Sequence, residues 1–254
     1  MVVQARETDA LVLNCTEHGE SDVIVTLFCR DVGRLTAIAK GGKKSKKRFV
    51  NKLELFSFLL ITYQLKVNSS LAFFAEAELH SSFLHLRQSL QLYSIASVIR
   101  EFLLIEVKEN EPDDHIFRLS LWALHNLDRK QPPLTVLALF LLRFYDYVGY
   151  RPDLHTCIHC GSSVTSQNRY TFDAARGGIA CSACTPRLHK GVPLSPGTLR
   201  MLQAAQDQPL ERLHRLKIAG GGLNEAVSLL QSYGNNLFQR DIVSWQLVRK
   251  FMKK

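Results

Sequence analysis

The stretch RLTAIAKGGKKSKKRFVNKLELFSFLLITYQL, residues 34–65, decides how the first third of the chain is read. It opens and closes on apolar and β-branched segments of the kind that form strands. Between them Lys40, Lys43, Lys44, Lys46, Lys47, Arg48 and Lys52 supply seven cations and no acid. A run of like charge is usually a solvated tail or linker. This one is held at both ends by strand-forming sequence, so it reads as a mobile loop projecting from a folded sheet, with Gly41 and Gly42 free to follow a partner's backbone.

The same grammar extends to either side. TDALVLNC (8–15), DVIVTLFC (22–29), RLTAIAK (34–40), LELFSFLLITYQL (53–65) and SLAFFAEAEL (70–79) are separated by HGESD, RDVG, the lysine run and KVNSS. Five short strands joined by polar turns predict a small barrel, and a five-stranded, partly open Greek-key barrel is the OB-fold, a frequent binder of oligonucleotides. Alternation in the fifth strand places Leu71, Phe73, Ala75, Ala77 and Leu79 on the buried face, opposite Glu76 and Glu78. The fourth is apolar on both faces and is expected to be covered on both sides.

From residue 80 the periodicity becomes helical. SLQLYSIASVIREFLLIEVKEN keeps its polar residues on one side of a 3.6-residue repeat and predicts a central packing helix. Pro112-Asp113-Asp114 opens a second helix with an aspartate as N-cap, and Leu119 and Trp122 inside. Pro132-Pro133 opens a third that ends near Gly149. A loop-rich insert follows, and Gly220-Gly221-Gly222 reads as a break before a late helix. The expected organisation is α+β and multidomain: a barrel over 1–79, a helical domain in two parts over 80–150 and 194–254, and an insert over 151–193. No repeat of fixed period is present.

The 254 residues carry a net charge of +9, and 46% of them are hydrophobic, enough to build a core. The excess is unevenly placed: +2 over residues 1–78, −1 over 79–150, +3 over 151–194 and +5 over 195–254. A basic balance of this kind favours an anionic partner, nucleic acid or a membrane surface. The longest apolar runs fall far short of a membrane span, and the start lacks a basic region leading into an apolar one. A cytoplasmic location is expected, in which six cysteines serve as thiols or metal ligands rather than disulfides.

Four of those cysteines form two C-x2-C knuckles, Cys157/Cys160 and Cys181/Cys184, the spacing of a zinc ribbon. Two thiolates three positions apart can turn back onto one ion, and two such pairs complete a tetrahedron with bonds of about 2.3 Å. Four protein ligands leave no open position for water, so the expected zinc ion folds the insert and does not catalyse. His155, His159 and His189 lie close enough in sequence to replace a cysteine as ligand. Cys15 and Cys29 sit in expected strands and read as small core residues. His18-Gly19-Glu20 matches half of a deaminase signature, but the remainder is missing, and the segment reads as a loop.

In their order along the chain, "TDALVL…GESDVIVTLF…GRLTAIAKGGKKSKKRF", the helical middle and "CIHCG…F…GG…CSAC" resemble the bacterial recombination mediator RecO family over essentially the whole chain. The resemblance implies an OB-fold, a helical domain and a zinc module. It also implies binding of single- and double-stranded DNA, annealing of complementary strands, and loading of RecA, together with RecR, onto strands coated by single-strand-binding protein. In that family the acidic, aromatic-ended tail of single-strand-binding protein docks on the helical part, and the protein works in the bacterial cytoplasm at the nucleoid.

The residues support a non-enzymatic reading by their own chemistry. Phosphate-loop, H-E-x-x-H and G-x-S-x-G motifs are all missing, and the acidic pairs Asp113/Asp114 and Glu109/Glu111 sit at a helix boundary where capping explains them. The cations of the loop give sequence-independent affinity by counterion release, and five of them on a single strand would contribute roughly −3.5 to the slope of log K against log salt. Phe49 and Phe74 are the aromatic residues expected to be exposed for base stacking, with Phe49 joining Lys40, Lys43, Lys44, Lys46, Lys47, Arg48 and Lys52 in the expected DNA site. A basic rim from Arg212, Arg215, Lys217, Arg240, Arg249 and Lys250 could border a groove for an acidic peptide. The alternative is an RNA-binding or transcription-associated module, since barrels and ribbons of this kind occur there too.

Overall fold

The computed structural model describes residues 4–65, 71–165, 168–188, 190–217 and 220–252. The KVNSS turn (66–70) and His189 therefore lie outside the described residues. The chain divides into two compact units, Met1–Gln88 with Arg100–Arg118, and Ser89–Ile99 with Leu119–Lys254.

In the first unit, five strands, β1 (Arg6–His18), β2 (Asp22–Cys29), β3 (Gly33–Ala39), β4 (Phe58–Gln64) and β5 (Ala72–Ser81), close into a barrel of order β1-β2-β3-β5-β4. All pairings are antiparallel except a short parallel contact of β3 with β5, Ala37 opposite Ala72 and Ile38 opposite Phe73, which closes the barrel. The interior is filled from every strand by Ala10, Val12, Leu27, Cys29, Ala37, Ile61, Tyr63 and Phe74, among others. Cys29 is thus a core residue as expected, and Cys15 packs against the same cluster.

Two local irregularities set which side chains enter that core. In β1 the register slips between Val12 and Asn14, and the Leu13 carbonyl released there accepts a 3.0 Å hydrogen bond from the Arg100 guanidinium. In β5, Thr62 pairs with Glu76 but Tyr63 pairs with Phe74, so Ala75 is bulged out of the ladder. A bulge changes the parity of a strand. Phe74 and Ala77 therefore both point inward, Phe73 and Ala75 point outward, and Leu79 is exposed, which corrects the simple alternation expected for this strand.

The fourth strand is shorter than its apolar run. Phe56 has φ 69°, outside the range of a strand residue, so Leu53–Ser57 turns and pairing begins at Phe58. Phe56 N–H donates to the Val12 carbonyl and Val12 N–H to the Ser57 carbonyl, which seats that turn on β1. Burial along β4 alternates: Leu59, Ile61 and Tyr63 are buried and the other face is half-buried, where Phe58 lies against His80 and Phe117.

After β5 the helices α1 (Leu84–Gln88), α2 (Leu90–Glu106), α3 (Asp114–Asp128) and α4 (Pro133–Tyr147) follow. Asp113 caps α3 by accepting from Ile116 N–H at 2.9 Å, and Pro133 occupies the first turn of α4, whose missing N–H costs nothing there. The division between units passes through α2 and α3. In the second unit α4 is buried on nearly all sides, from Thr135 to Tyr145, as an all-round apolar helix must be. It packs on α5 (Pro196–Asp207) and α7 (Gly220–Phe238), with Tyr145 donating to the Leu230 carbonyl at 2.9 Å. The short α6 (Leu210–Leu213) and the terminal α8 (Trp245–Met252) complete the helices described. Gly220, Gly221 and Gly222 form the first turn of α7 and are not the break expected from their composition.

The insert is a four-stranded sheet of order β6-β8-β7-β9, built from β6 (Asp153–Cys157), β7 (Tyr170–Asp173), β8 (Gly178–Ala180) and β9 (Val192–Leu194). It is seated on α7 through Phe172, whose ring meets Tyr233 edge-on at 5.5 Å.

Candidate metal centre and nucleic-acid interface

The cysteine knuckles are brought together by strand register. Cys157 ends β6 opposite Ile179 of the neighbouring β8, and Cys181 follows that strand directly, so each knuckle turns at the same end of the sheet. Gly161 adopts φ 70° to complete the first turn, donating its N–H to the Cys157 carbonyl at 2.8 Å. The second turn is closed by Cys184 N–H on the Cys181 carbonyl at 2.9 Å. All four Sγ atoms lie within 4.8 Å of one another, and Cys160 and Cys181 are 3.9 Å apart. A tetrahedron with bonds of about 2.3 Å has edges of about 3.8 Å, so the four thiols can hold a metal ion.

Their acidities fit a site that wants a cation at its centre. Burial opposes ionisation of Cys157, yet the N–H groups of Cys181, Cys160 and His159 bring its pKa down to about 6. Bonding to Ser162 lowers Cys160 as well. Cys184 is pushed up to about 12, first by burial and then by the other three thiols. Ionisation is thus favoured in the first knuckle and opposed at Cys184, where a bound cation would balance the added charge. His159 does not join the ligands: its Nδ1 lies 2.9 Å from Arg176 Nη1. His155 also lies outside the four-cysteine cluster.

On the barrel, the cations of the lysine run separate into two groups. Lys40 pairs with Asp22 at 2.6 Å and Lys43 with Glu17 at 2.8 Å. Arg48 donates to the carbonyls of Lys40 and Ala75, and Lys52 donates to those of Arg48 and Ala77. These four hold the loop to the barrel. The Lys40 ammonium and the Gly41 N–H in turn hold the Asp22 carboxyl below its usual pKa. Lys44, Lys46 and Lys47 are exposed, and their ammonium groups make no hydrogen bond or ion pair with another described residue.

The loop is therefore built and not free-swinging. Gly42–Lys44 forms one 3-10 turn, Lys43 N–H donates to the Ser21 carbonyl, and Phe49 N–H donates to Ser45 Oγ. Phe49 is 3% exposed and Phe74 is fully buried, each in the barrel interior. Neither presents a ring to solvent, which corrects their expected exposure: a small barrel needs large apolar side chains inside, and the loop supplies one of them. The anchors Asp22, Glu17 and Ser45 were not singled out by sequence, although an acid in each flanking segment and a serine four residues before Phe49 are visible there.

Among the described residues no helix is long and apolar enough to cross a membrane. Residues 2–83 match the family model described as Recombination protein O N terminal, and residues 87–246 match Recombination protein O C terminal. Relatives named DNA repair protein RecO include that of Syntrophobacter fumaroxidans, 35% identical over 85% of both chains. That of Desulfatibacillum aliphaticivorans is 34% identical over 89% of both chains, and that of Syntrophus aciditrophicus 29% identical over 97% of this chain and 96% of its own. With a closed five-stranded barrel, a helical region and a four-cysteine cluster in the order these models span, the chain belongs to the RecO family of DNA repair proteins.

Proposed function

We propose that this chain is a non-enzymatic recombination mediator. It binds single- and double-stranded DNA through the lysine loop, anneals complementary strands and, with RecR, helps load RecA onto strands coated by single-strand-binding protein in the bacterial cytoplasm. The observation that carries the DNA contact is the trio Lys44, Lys46 and Lys47, charged and unpaired on a loop whose other cations fix it in place. Ammonium groups already paired with carboxylates release few counterions on meeting a phosphate, so the free trio contributes most of the loop's affinity. Strands gathered on one basic surface lose much of their mutual repulsion, which favours annealing.

The metal in this reading is one zinc ion held by Cys157, Cys160, Cys181 and Cys184, since four thiolates in a tetrahedral cluster suit zinc. Its part is structural. For the tail of single-strand-binding protein, a hollow of about 270 Å³ offers support: Trp122, Val136, Leu139 and Leu223 line it, His214 and Lys217 border it, and the buried Trp122 indole N–H lacks a partner. An aromatic side chain beside a carboxylate matches such a lining. The test is capture of single-strand-binding protein on the immobilised chain. The mediator reading expects capture of the intact protein and none of its tail-deleted form; equal capture of both would refute the tail contact.

A further inference from the structure

The lysine loop leaves the barrel beside a carboxylate, a group that by charge alone opposes a phosphate. Asp22 opens β2, and its side chain is 16% exposed. Its Oδ2 accepts from the Lys40 ammonium at 2.6 Å and its Oδ1 from the Gly41 N–H at 2.8 Å. Both donors stand where the chain passes from β3 into the loop. Gly41 turns there at φ 67° with open space where a side chain would be, so the carboxylate holds this turn and packing around Gly41 does not. The same two bonds, that from Lys40 above that from Gly41, keep the carboxyl below its usual pKa and therefore ionised at neutral pH.

The far end of the loop returns to the same place. Arg48 Nη2 donates to the Lys40 carbonyl at 3.0 Å, so Asp22 grips Lys40 by its ammonium and Arg48 grips it by its backbone. Residues 41–47, which carry Lys44, Lys46 and Lys47, are thereby closed into a span whose ends meet at Lys40. The Lys43 N–H, on the Ser21 carbonyl at 2.9 Å, adds a bond one residue before Asp22. The other acids of this hairpin differ: the Glu17 side chain is 82% exposed and meets a single ammonium, and Glu20 is exposed at the tip.

A loop ordered before its partner arrives avoids the entropy that a flexible loop must lose on binding. We infer that Asp22 is a positioning residue for phosphate binding: an acid that strengthens the hold on DNA by fixing the backbone that carries Lys44, Lys46 and Lys47. The inference rests on the DNA-binding reading above.

The test compares Asp22→Ala, Asp22→Asn and Glu20→Gln in the full chain, each of which removes one negative charge from the hairpin of β1 and β2. If charge alone decided, all three would bind a single strand alike and slightly tighter than the wild type. Positioning predicts about fivefold weaker binding for Asp22→Ala and no loss for Glu20→Gln. Asp22→Asn should lose less than the alanine variant, because its amide oxygen can still accept the Gly41 N–H, and it carries the comparison should the alanine variant not fold. With Lys44, Lys46 and Lys47 also changed to alanine, Asp22→Ala should no longer weaken binding, since nothing is left to position. Limited trypsin digestion reads the loop without DNA: cleavage after these three lysines should be several-fold faster in Asp22→Ala than in Glu20→Gln. Binding by Asp22→Ala as tight as by Glu20→Gln, an equal loss in the background lacking the three lysines, or unchanged cleavage would overturn the inference. If the wild type binds no strand, the DNA-binding reading falls and the inference with it; if the wild type binds and Asp22→Ala binds no more weakly, only the role of Asp22 falls.

Discussion

Phe49, at the end of the lysine run, meets Phe74 of β5 edge-to-face inside the barrel, with ring centroids 5.0 Å apart. One apolar residue following a block of cations thus ties the loop to the core, and the Arg48 guanidinium lies over the same ring at 5.1 Å. Replacing Phe49 by alanine removes a buried aromatic and leaves a cavity, with an expected loss of about 3 kcal/mol of stability. Urea denaturation measures it. A change under about 1 kcal/mol would mean that the ring is not part of the core.

Gly33, the first residue of β3, carries a heavier constraint than the turn glycine Gly19. Its φ is +72°, and a Cβ there would lie 2.4 Å from the Lys108 carbonyl oxygen and 2.5 Å from that of Glu111, backbone atoms of the segment that pairs with β3. Gly33→Ala is expected to cost about 3 kcal/mol or more, combining left-handed strain with a backbone clash. Gly19, at φ +56° with open space around it, supplies the comparison: alanine there should cost only about 1 kcal/mol. Thermal melts of the two variants should differ clearly, and equal melts would contradict the close approach at Gly33.

The insert has little apolar mass of its own. Its strands are three to five residues long, and Cys157, Ala180 and Cys184 are the buried residues around the four-cysteine cluster. In the proposed zinc-bound protein, a chelator should therefore loosen the insert and open its thiols to an alkylating agent near neutral pH, Cys157 first, and the rest as the insert loses its packing. Cys15, whose pKa burial and the Glu54 charge push up to about 12, and Cys29, raised further by burial and Asp31, should stay unmodified until the protein is denatured. Mass spectrometry of the labelled chain counts them. Six modified cysteines before denaturation would contradict the placement of Cys29 in the barrel core.

The barrel strands, the long helices and the four-cysteine cluster were legible in the sequence because each rests on a local pattern: alternation, 3.6-residue periodicity with proline and aspartate caps, and C-x2-C spacing; the insert, expected to be loop-rich, instead holds four short strands. What escaped depends on pairing between distant segments. The bulge at Ala75, which turns Phe74 inward in place of Phe73, exists only against the register of β4. The early end of the fourth strand's apolar run reflects the positive φ of Phe56 and its bonds to Val12. Likewise, the sorting of the seven cations requires knowing that Asp22 lies beside Lys40 and Glu17 beside Lys43. Composition gives the amount of positive charge, and only tertiary contacts give how much of it is free.

Which lysines are free to meet phosphates is read out by the salt dependence of single-strand binding. Changing Lys44, Lys46 and Lys47 to alanine should leave the melting temperature nearly unchanged, lower affinity at moderate salt, and reduce the magnitude of the slope of log K against log salt by about 2. Changing Lys40 and Lys43 instead, which are already paired with acids, should move the slope far less. A triple variant that keeps the wild-type slope, or a Lys40/Lys43 variant that loses as much of it as the triple, would contradict the assignment of the three free lysines as the phosphate-binding group.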